Sequence, residues 1–250
     1  MDRPQYIVGG RRQFRKPGGP EEWGTPMPLL HRSITESEEM ELVSHVLNDV
    51  HYRDTLFNIK GMRTRDARIL ECVDLRLLQK DLAGDIDILV IPHGAPELST
   101  AIQVKRFEAK VRMDASGEDD VEGGYPERFR KLMAKGIKQA NRTKLLGFAQ
   151  VYLWIFVVID TRERNSGWYT YEGPDSLLHS KIASAISPVG LDPTIGLMEF
   201  EWVQPMDRPP FELGTHGGHL RKLADTTAQP PELTEWLRRV PSPVITPRSR

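Results

Sequence analysis

Asp87, Gln103 and Lys105 are the residues whose types and spacing could do chemistry together. Asp87 sits in Asp-Ile-Asp-Ile-Leu-Val-Ile (85–91), a β-branched run that follows Ala83-Gly84. Gln103 and Lys105 sit in Thr-Ala-Ile-Gln-Val-Lys-Arg-Phe (100–107), and Pro92-His93-Gly94-Ala95-Pro96 between the runs is turn chemistry. The pair reads as an antiparallel hairpin. Side chains alternate along a strand, so Asp87 is expected on one face with Leu89 and Ile91. Gln103 and Lys105 share a face of the return strand, with Ile102 and Val104 on the other. Should the two faces coincide, a carboxylate, an amide oxygen and an ammonium converge at one end of the hairpin. Burying such groups in an apolar sheet is costly unless they are paired or bind an ion, and a metal site is one explanation. For Asp87 alone the bland alternative is a turn acid. Asp85 is read as a strand-start acid rather than a second ligand, and Arg106, facing away from Lys105, as surface.

The elements around this hairpin follow from periodicity. A helix is expected from Ser33 or Thr35, because Thr35 and Glu38 have capping-box spacing and the first turn is acidic. Met40, Val43, Val46, Leu47 and Val50 repeat at helical spacing. At 100° per residue, Glu36 and Glu39 project towards that apolar face, and Glu38 and Glu41 away from it. Residues 66–82 suit either a helix, through Leu70, Val73, Leu77 and Leu78, or an edge strand over Arg68–Leu75; the helix is the reading taken. Residues 113–126, with Glu118, Asp119, Asp120 and Glu122, read as an acidic loop. A helix over Pro126–Leu146 buries Phe129, Leu132, Met133, Gly136, Ile137 and Ala140. Arg128, Lys131, Lys135, Lys138 and Arg142 form a stripe on its opposite face. Val151–Asp160 is a continuous apolar run and predicts a central strand covered on both faces. Further on, Trp168–Tyr171 reads as a short strand. Asp175 should cap a helix to Ile186, Leu197–Val203 alternates as a half-buried strand, and Glu232–Arg239 is a short helix. Helices and strands in this order predict an α/β three-layer sandwich, a mixed central sheet flanked by helices.

The 250 residues carry 34 Lys+Arg against 35 Asp+Glu, which excludes binding nucleic acid by bulk charge; any such contact needs a local patch. A single cysteine, Cys72, excludes a disulfide framework and a multi-cysteine metal site. The longest apolar run, Val151–Ile159, is half of what a membrane span needs, and no secretory signal is evident. A cytoplasmic protein with no membrane contact is therefore expected. Residues 1–33, rich in Gly and Pro with Arg11, Arg12, Arg15 and Lys16, read as a flexible N-terminal tail. Residues 34–205 read as the folded domain, and 206–250 as a Pro-rich C-terminal segment with one short helix.

The run Gly84-Asp85-Ile86-Asp87-Ile88-Leu89 and the run Ile102-Gln103-Val104-Lys105-Arg106-Phe107 resemble the PD-(D/E)xK nuclease superfamily, in the Asp…Gln-x-Lys variant of Mrr-like restriction endonucleases. The order of elements around them also fits: an acidic helix before, then a long basic helix and an apolar strand. The resemblance covers roughly residues 34–160. It implies a restriction-endonuclease-like fold and a Mg²⁺-dependent nuclease, with Mn²⁺ as an alternative ion, that hydrolyses DNA phosphodiester bonds in restriction or phage defence. It makes Asp87 a metal ligand and Gln103 a neutral ligand where many members have an acid. The Val104 carbonyl completes the coordination, and Lys105 is the catalytic lysine that orients water and stabilises charge on the phosphate. Since Gln103 brings no charge, a further carboxylate would help hold the ion; Glu39 is the choice and Glu36 the second.

Lys131, Lys135, Lys138 and Arg142 are candidates for contacts to DNA phosphates, although a stripe opposite the core also reads as a solvated face. Gln139, at its flank, could reach the site. His216-Gly217-Gly218-His219 reads as a loop, since no third ligand lies nearby. No separate DNA-reading domain is evident, so specificity would come from a protein partner, from a homodimer, or not at all. The rival readings are a catalytically inactive nuclease-fold subunit that binds nucleic acid or acts as a scaffold in a defence complex, and an interaction protein unrelated to nucleic acid.

Overall fold

The computed structural model describes residues 38–48, 67–79, 84–113, 115, 119–121, 125–160, 176–204 and 214–240. The expected N-terminal tail, Glu36, the Trp168–Tyr171 strand and the Asp175 cap lie outside them. The described elements run in chain order α1 (Glu39–Asn48), β1 (Ala67–Asp74), β2 (Asp85–Pro92), β3 (Thr100–Met113), β4 (Asp119–Val121), α2 (Tyr125–Leu145), β5 (Gln150–Asp160), α3 (Ser176–Ala185), β6 (Gly196–Gln204), β7 (Gly214–Lys222) and α4 (Pro231–Arg239). Short 3₁₀ turns follow β1 and precede β3.

The strands form one open, mixed, seven-stranded sheet in the order β1-β2-β3-β5-β6-β7, with β4 paired to the far end of β3. β3, β5 and β6 are parallel, joined through α2 and α3 as crossover connections need. β1 and β2, β2 and β3, and β6 and β7 pair antiparallel. β5 is the axis. Its odd residues Val151, Leu153, Ile155, Val157 and Ile159 pack in one core with Phe129, Met133, Ile137 and Ala140 of α2, Ile182 of α3, and Leu233 and Leu237 of α4. Its even residues Tyr152, Trp154, Phe156 and Val158 pack in a second core with Leu42, Val43 and Leu47 of α1. The apolar run in the sequence is therefore a strand buried on both faces, and the fold is α/β with helices on both sides of a mixed sheet.

Of the stretch 66–82, the described residues 67–79 do not form the expected helix. They form edge strand β1, close to the alternative reading over Arg68–Leu75, in register with β2 from Ala67↔Pro92 to Asp74↔Asp85 and followed by a 3₁₀ turn at Leu75–Leu77. The physical reason is Cys72, whose φ of 51° is left-handed. Reversing the local twist there puts both Leu70 and Val73 into one core. The strand thereby acquires the i, i+3 spacing that otherwise marks a helix.

Helix α1 starts later than the capping-box spacing at Thr35 indicates. Glu38 precedes its first turn, and the Glu38 N–H donates to Glu41 Oε2 at 2.9 Å, which is one half of a capping box three residues on. Part of the acidic loop is β4, in register with β3 from Val111↔Val121 to Met113↔Asp119, because pairing there satisfies backbone groups. Strand β6 is not half-buried, since Glu199 and Glu201 are both fully buried. The His216–His219 stretch is strand rather than loop: it belongs to β7, where backbone pairing with β6 sets His219 opposite Glu199. With β7 in the sheet and α4 in the core, the described part of 206–250 belongs to the same folded body. Among the described residues no helix is long and apolar enough to cross a membrane.

Candidate active site

β2 and β3 pair only over Ile88↔Ile102, Leu89↔Ala101 and Val90↔Thr100, and then part. The parting leaves backbone groups of β3 without strand partners in the middle of the sheet, where each must be satisfied. Side chains do this. The Val104 N–H donates to Asp87 Oδ2 at 2.6 Å. The Arg106 N–H donates to Glu39 Oε2 at 3.0 Å, from the first turn of α1. The Val104 carbonyl accepts from Lys105 Nζ.

Three of the expected side chains therefore meet in one gap. Lys105 Nζ lies 3.3 Å from Glu39 Oε1 and 3.9 Å from Asp87 Oδ2. Asp87 and Lys105 are each 5% exposed. The Glu39 side chain is 30% exposed, so the gap opens to solvent beside α1. The acid from the first helix is Glu39, one of the two that helix phase sets on the apolar face; the other, Glu36, lies outside the described residues.

Asp87 does not simply share a face with Leu89 and Ile91. Ile86 packs in the same core as those two, so alternation breaks between Ile86 and Leu89. The break lies in the row beside Cys72, where β1 changes face as well. Asp87 is thereby turned into the gap between β2 and β3. Burial raises its pKa to about 6, against the opposing effects of the Lys105 charge and the Val104 N–H bond.

Gln103 points towards α2. Its Nε2 donates to Asp85 O at 2.9 Å and to Thr143 Oγ1 at 3.2 Å, not to Asp87 or Lys105. Its Oε1 is buried without a hydrogen-bond partner. The amide thus ties the parting end of β2 to α2 and holds one unused acceptor. Gln139 is one turn away on α2, its carbonyl accepting from Thr143 Oγ1 at 3.0 Å and its Oε1 also buried without a partner.

The basic stripe is not brought to the gap. Lys131, Lys135, Lys138 and Arg142 are exposed, and Lys131 pairs with Glu127 at 3.2 Å. Gly136 on the opposite side of the same helix faces Lys105, so a helix of about 10 Å diameter separates stripe from site.

Two features escaped the sequence reading. A Cβ on Gly136 would lie 2.9 Å from Lys105 Cγ and 3.1 Å from Leu153 Cδ1, so the lysine stem passes under α2 only because that position is glycine. The signal was present: glycine in a helix interior costs about 1 kcal/mol and calls for a packing reason. The second is Glu199, buried beside Glu201 and bonded through Oε2 to Arg221. Burial first, and then Glu201, raise its pKa to about 7.

The donor set fits a hard divalent cation. Oxygens of Glu39, Asp87 and the Val104 carbonyl surround one point, and a cation, the Lys105 ammonium, is already there. Among the described residues no three Asp, Glu, His or Cys side chains form a metal-holding group, so an ion here would keep several waters, as Mg²⁺ does. Comparisons with protein-family models, curated proteins and solved structures gave no match to this chain.

Proposed function

We propose that this chain is a metal-dependent nuclease of restriction-endonuclease-like fold that hydrolyses DNA phosphodiester bonds, acting in restriction or phage defence. The observation that carries the reading is the gap between β2 and β3, where Glu39, Asp87, the Val104 carbonyl and Lys105 meet. The resemblance of the Asp87 and Gln103-x-Lys105 strands to Mrr-like endonucleases points the same way. Mg²⁺ or Mn²⁺ held by Asp87, Glu39 and the Val104 carbonyl would act as a Lewis acid and lower the pKa of bound water. Lys105 orients the attacking water and offsets negative charge on the phosphate. Glu39, the most exposed of the set, faces the solvent side from which a phosphate arrives. Gln103 positions rather than binds, holding β2 and α2 in place on either side of the lysine.

Incubation of the purified chain with supercoiled plasmid and Mg²⁺ or Mn²⁺ tests this. Cleavage by wild type that EDTA abolishes, and that Asp87→Asn and Lys105→Met lose, is the expected result. One observation favours a second reading, a nuclease-fold nucleic-acid-binding or scaffold subunit without catalysis: Asp87 and Glu39 each already accept a backbone N–H of β3, a structural role. DNA retention with no cleavage under any divalent ion would establish that reading instead.

A further inference from the structure

We infer that Lys105 is an exchangeable occupant of the cation site, and that a divalent ion enters the gap only as the ammonium leaves it. This rests on the metal-site reading above and adds a competition to it. The ammonium stands 3.3 Å from Glu39 Oε1 and 3.9 Å from Asp87 Oδ2, and it donates to the Val104 carbonyl. These are the three oxygens that would hold the ion. Nζ sits among all three, so an ion drawing the two carboxylates in to bonds of about 2.0–2.1 Å would need the space that the ammonium fills, and two cations cannot share it at low dielectric.

The exchange is chemically balanced. Two carboxylates and one carbonyl hold a monovalent cation in the resting chain. A divalent ion meets the same two negative charges more fully, so the lysine loses its partners as the ion gains them. The stem can move without unfolding the sheet. Lys105 lies on the α2 side of β3 and reaches the gap at its end, with Gly136 presenting no Cβ against its Cγ. The mouth beside Glu39 is the wet side, where the released ammonium can meet a phosphate. Lysine thus passes from filling the ion's place to facing the substrate, and resting protein without ion is held in a closed, self-paired state.

Affinity for the ion is reduced by the fraction of time the ammonium leaves the gap. Isothermal titration of Mn²⁺ and Mg²⁺ into wild type and Lys105→Met measures this directly. Lys105→Met is expected to bind about tenfold more tightly, the gain if the ammonium is away in about one molecule in ten. A second measurement uses the unaltered chain. Acetylation by an N-hydroxysuccinimide ester, followed by site-resolved mass spectrometry, should modify Lys105 several-fold faster with saturating Mg²⁺ than with EDTA. Equal affinity in the two proteins, or an acetylation rate that Mg²⁺ leaves unchanged, overturns the exchange while the metal site stands. Absence of binding in both proteins overturns the metal-site reading and the exchange with it.

Discussion

At the residue scale, Asp87 has two jobs that substitution separates. Its Oδ2 accepts the Val104 N–H, and its charge faces Lys105. Asn retains an acceptor for the N–H and discards the charge. Asp87→Asn is therefore expected to unfold within about 1 kcal/mol of wild type in urea while cleaving DNA at least about 100-fold more slowly. Asp87→Ala loses the acceptor too and should cost about 1–3 kcal/mol. A cleavage rate in Asp87→Asn equal to wild type would remove the residue from the chemistry. The surroundings of Asp87 were partly legible: residue types and strand alternation put Gln103 and Lys105 on one face of β3, and helix phase set Glu39, together with Glu36, on the apolar face of α1. The parting of β2 from β3 was not legible, because it arises where pairing stops, and no residue type announces that. The turn of Gln103 towards Thr143 depends on α2 crossing above it, a tertiary fact with no local signature.

At the element scale, α2 holds Lys105 from above. Gly136→Ala gains about 1 kcal/mol of helix propensity but sets a methyl group 2.9 Å from Lys105 Cγ and 3.1 Å from Leu153 Cδ1. Overpacking of this kind typically costs about 1–3 kcal/mol, so a net loss of about 1 kcal/mol is expected. Cleavage should fall about tenfold or more through displacement of the lysine. Combining Gly136→Ala with Lys105→Ala removes the contact with Lys105 Cγ, so the two changes should cost less together than the sum of their separate costs, and the activity should not return. A stabilised, fully active Gly136→Ala protein would contradict the packing. α2 and β5 were readable because their periods are clean: Phe129, Met133, Ile137 and Ala140 recur at helical spacing, and β5 has no polar residue between Val151 and Ile159. β1 was not, since Cys72 interrupts the strand period and leaves Leu70 and Val73 at helical spacing. β7 carries the polar and glycine-rich Gly214–His219, so backbone pairing with β6, not hydrophobic pattern, makes it a strand.

At the scale of the whole molecule, two buried carboxyls hold their protons more tightly in the folded chain than in the unfolded one. Asp87 is raised to about 6 from 3.8 and Glu199 to about 7 from 4.5, burial leading in both cases. The folded state then binds more protons between about pH 4 and 7, and stability must fall as pH rises through that window. A tenfold difference in proton affinity between the folded and unfolded chain is worth about 1.4 kcal/mol, so the effect across the window is a few kcal/mol. Urea midpoints at pH 5 and pH 8 should differ in that direction, and Glu199→Gln should flatten the slope by raising stability at pH 8. A midpoint that climbs from pH 5 to pH 8 would show that these groups do not ionise on unfolding as their burial requires. The α/β character and the mixed sheet were legible because helices and strands alternate in the chain. The inclusion of 214–240 in the sheet and core was not, because prolines there mark turns without saying where the chain goes next. One place decides the chemistry, the gap where β2 leaves β3. Anomalous diffraction from crystals soaked in MnCl₂ tests it most directly. A manganese peak bonded to Asp87, Glu39 and the Val104 carbonyl, with Lys105 displaced from the gap, is the expected result. Manganese found only elsewhere, with the Lys105 ammonium still between the two carboxylates, would contradict it.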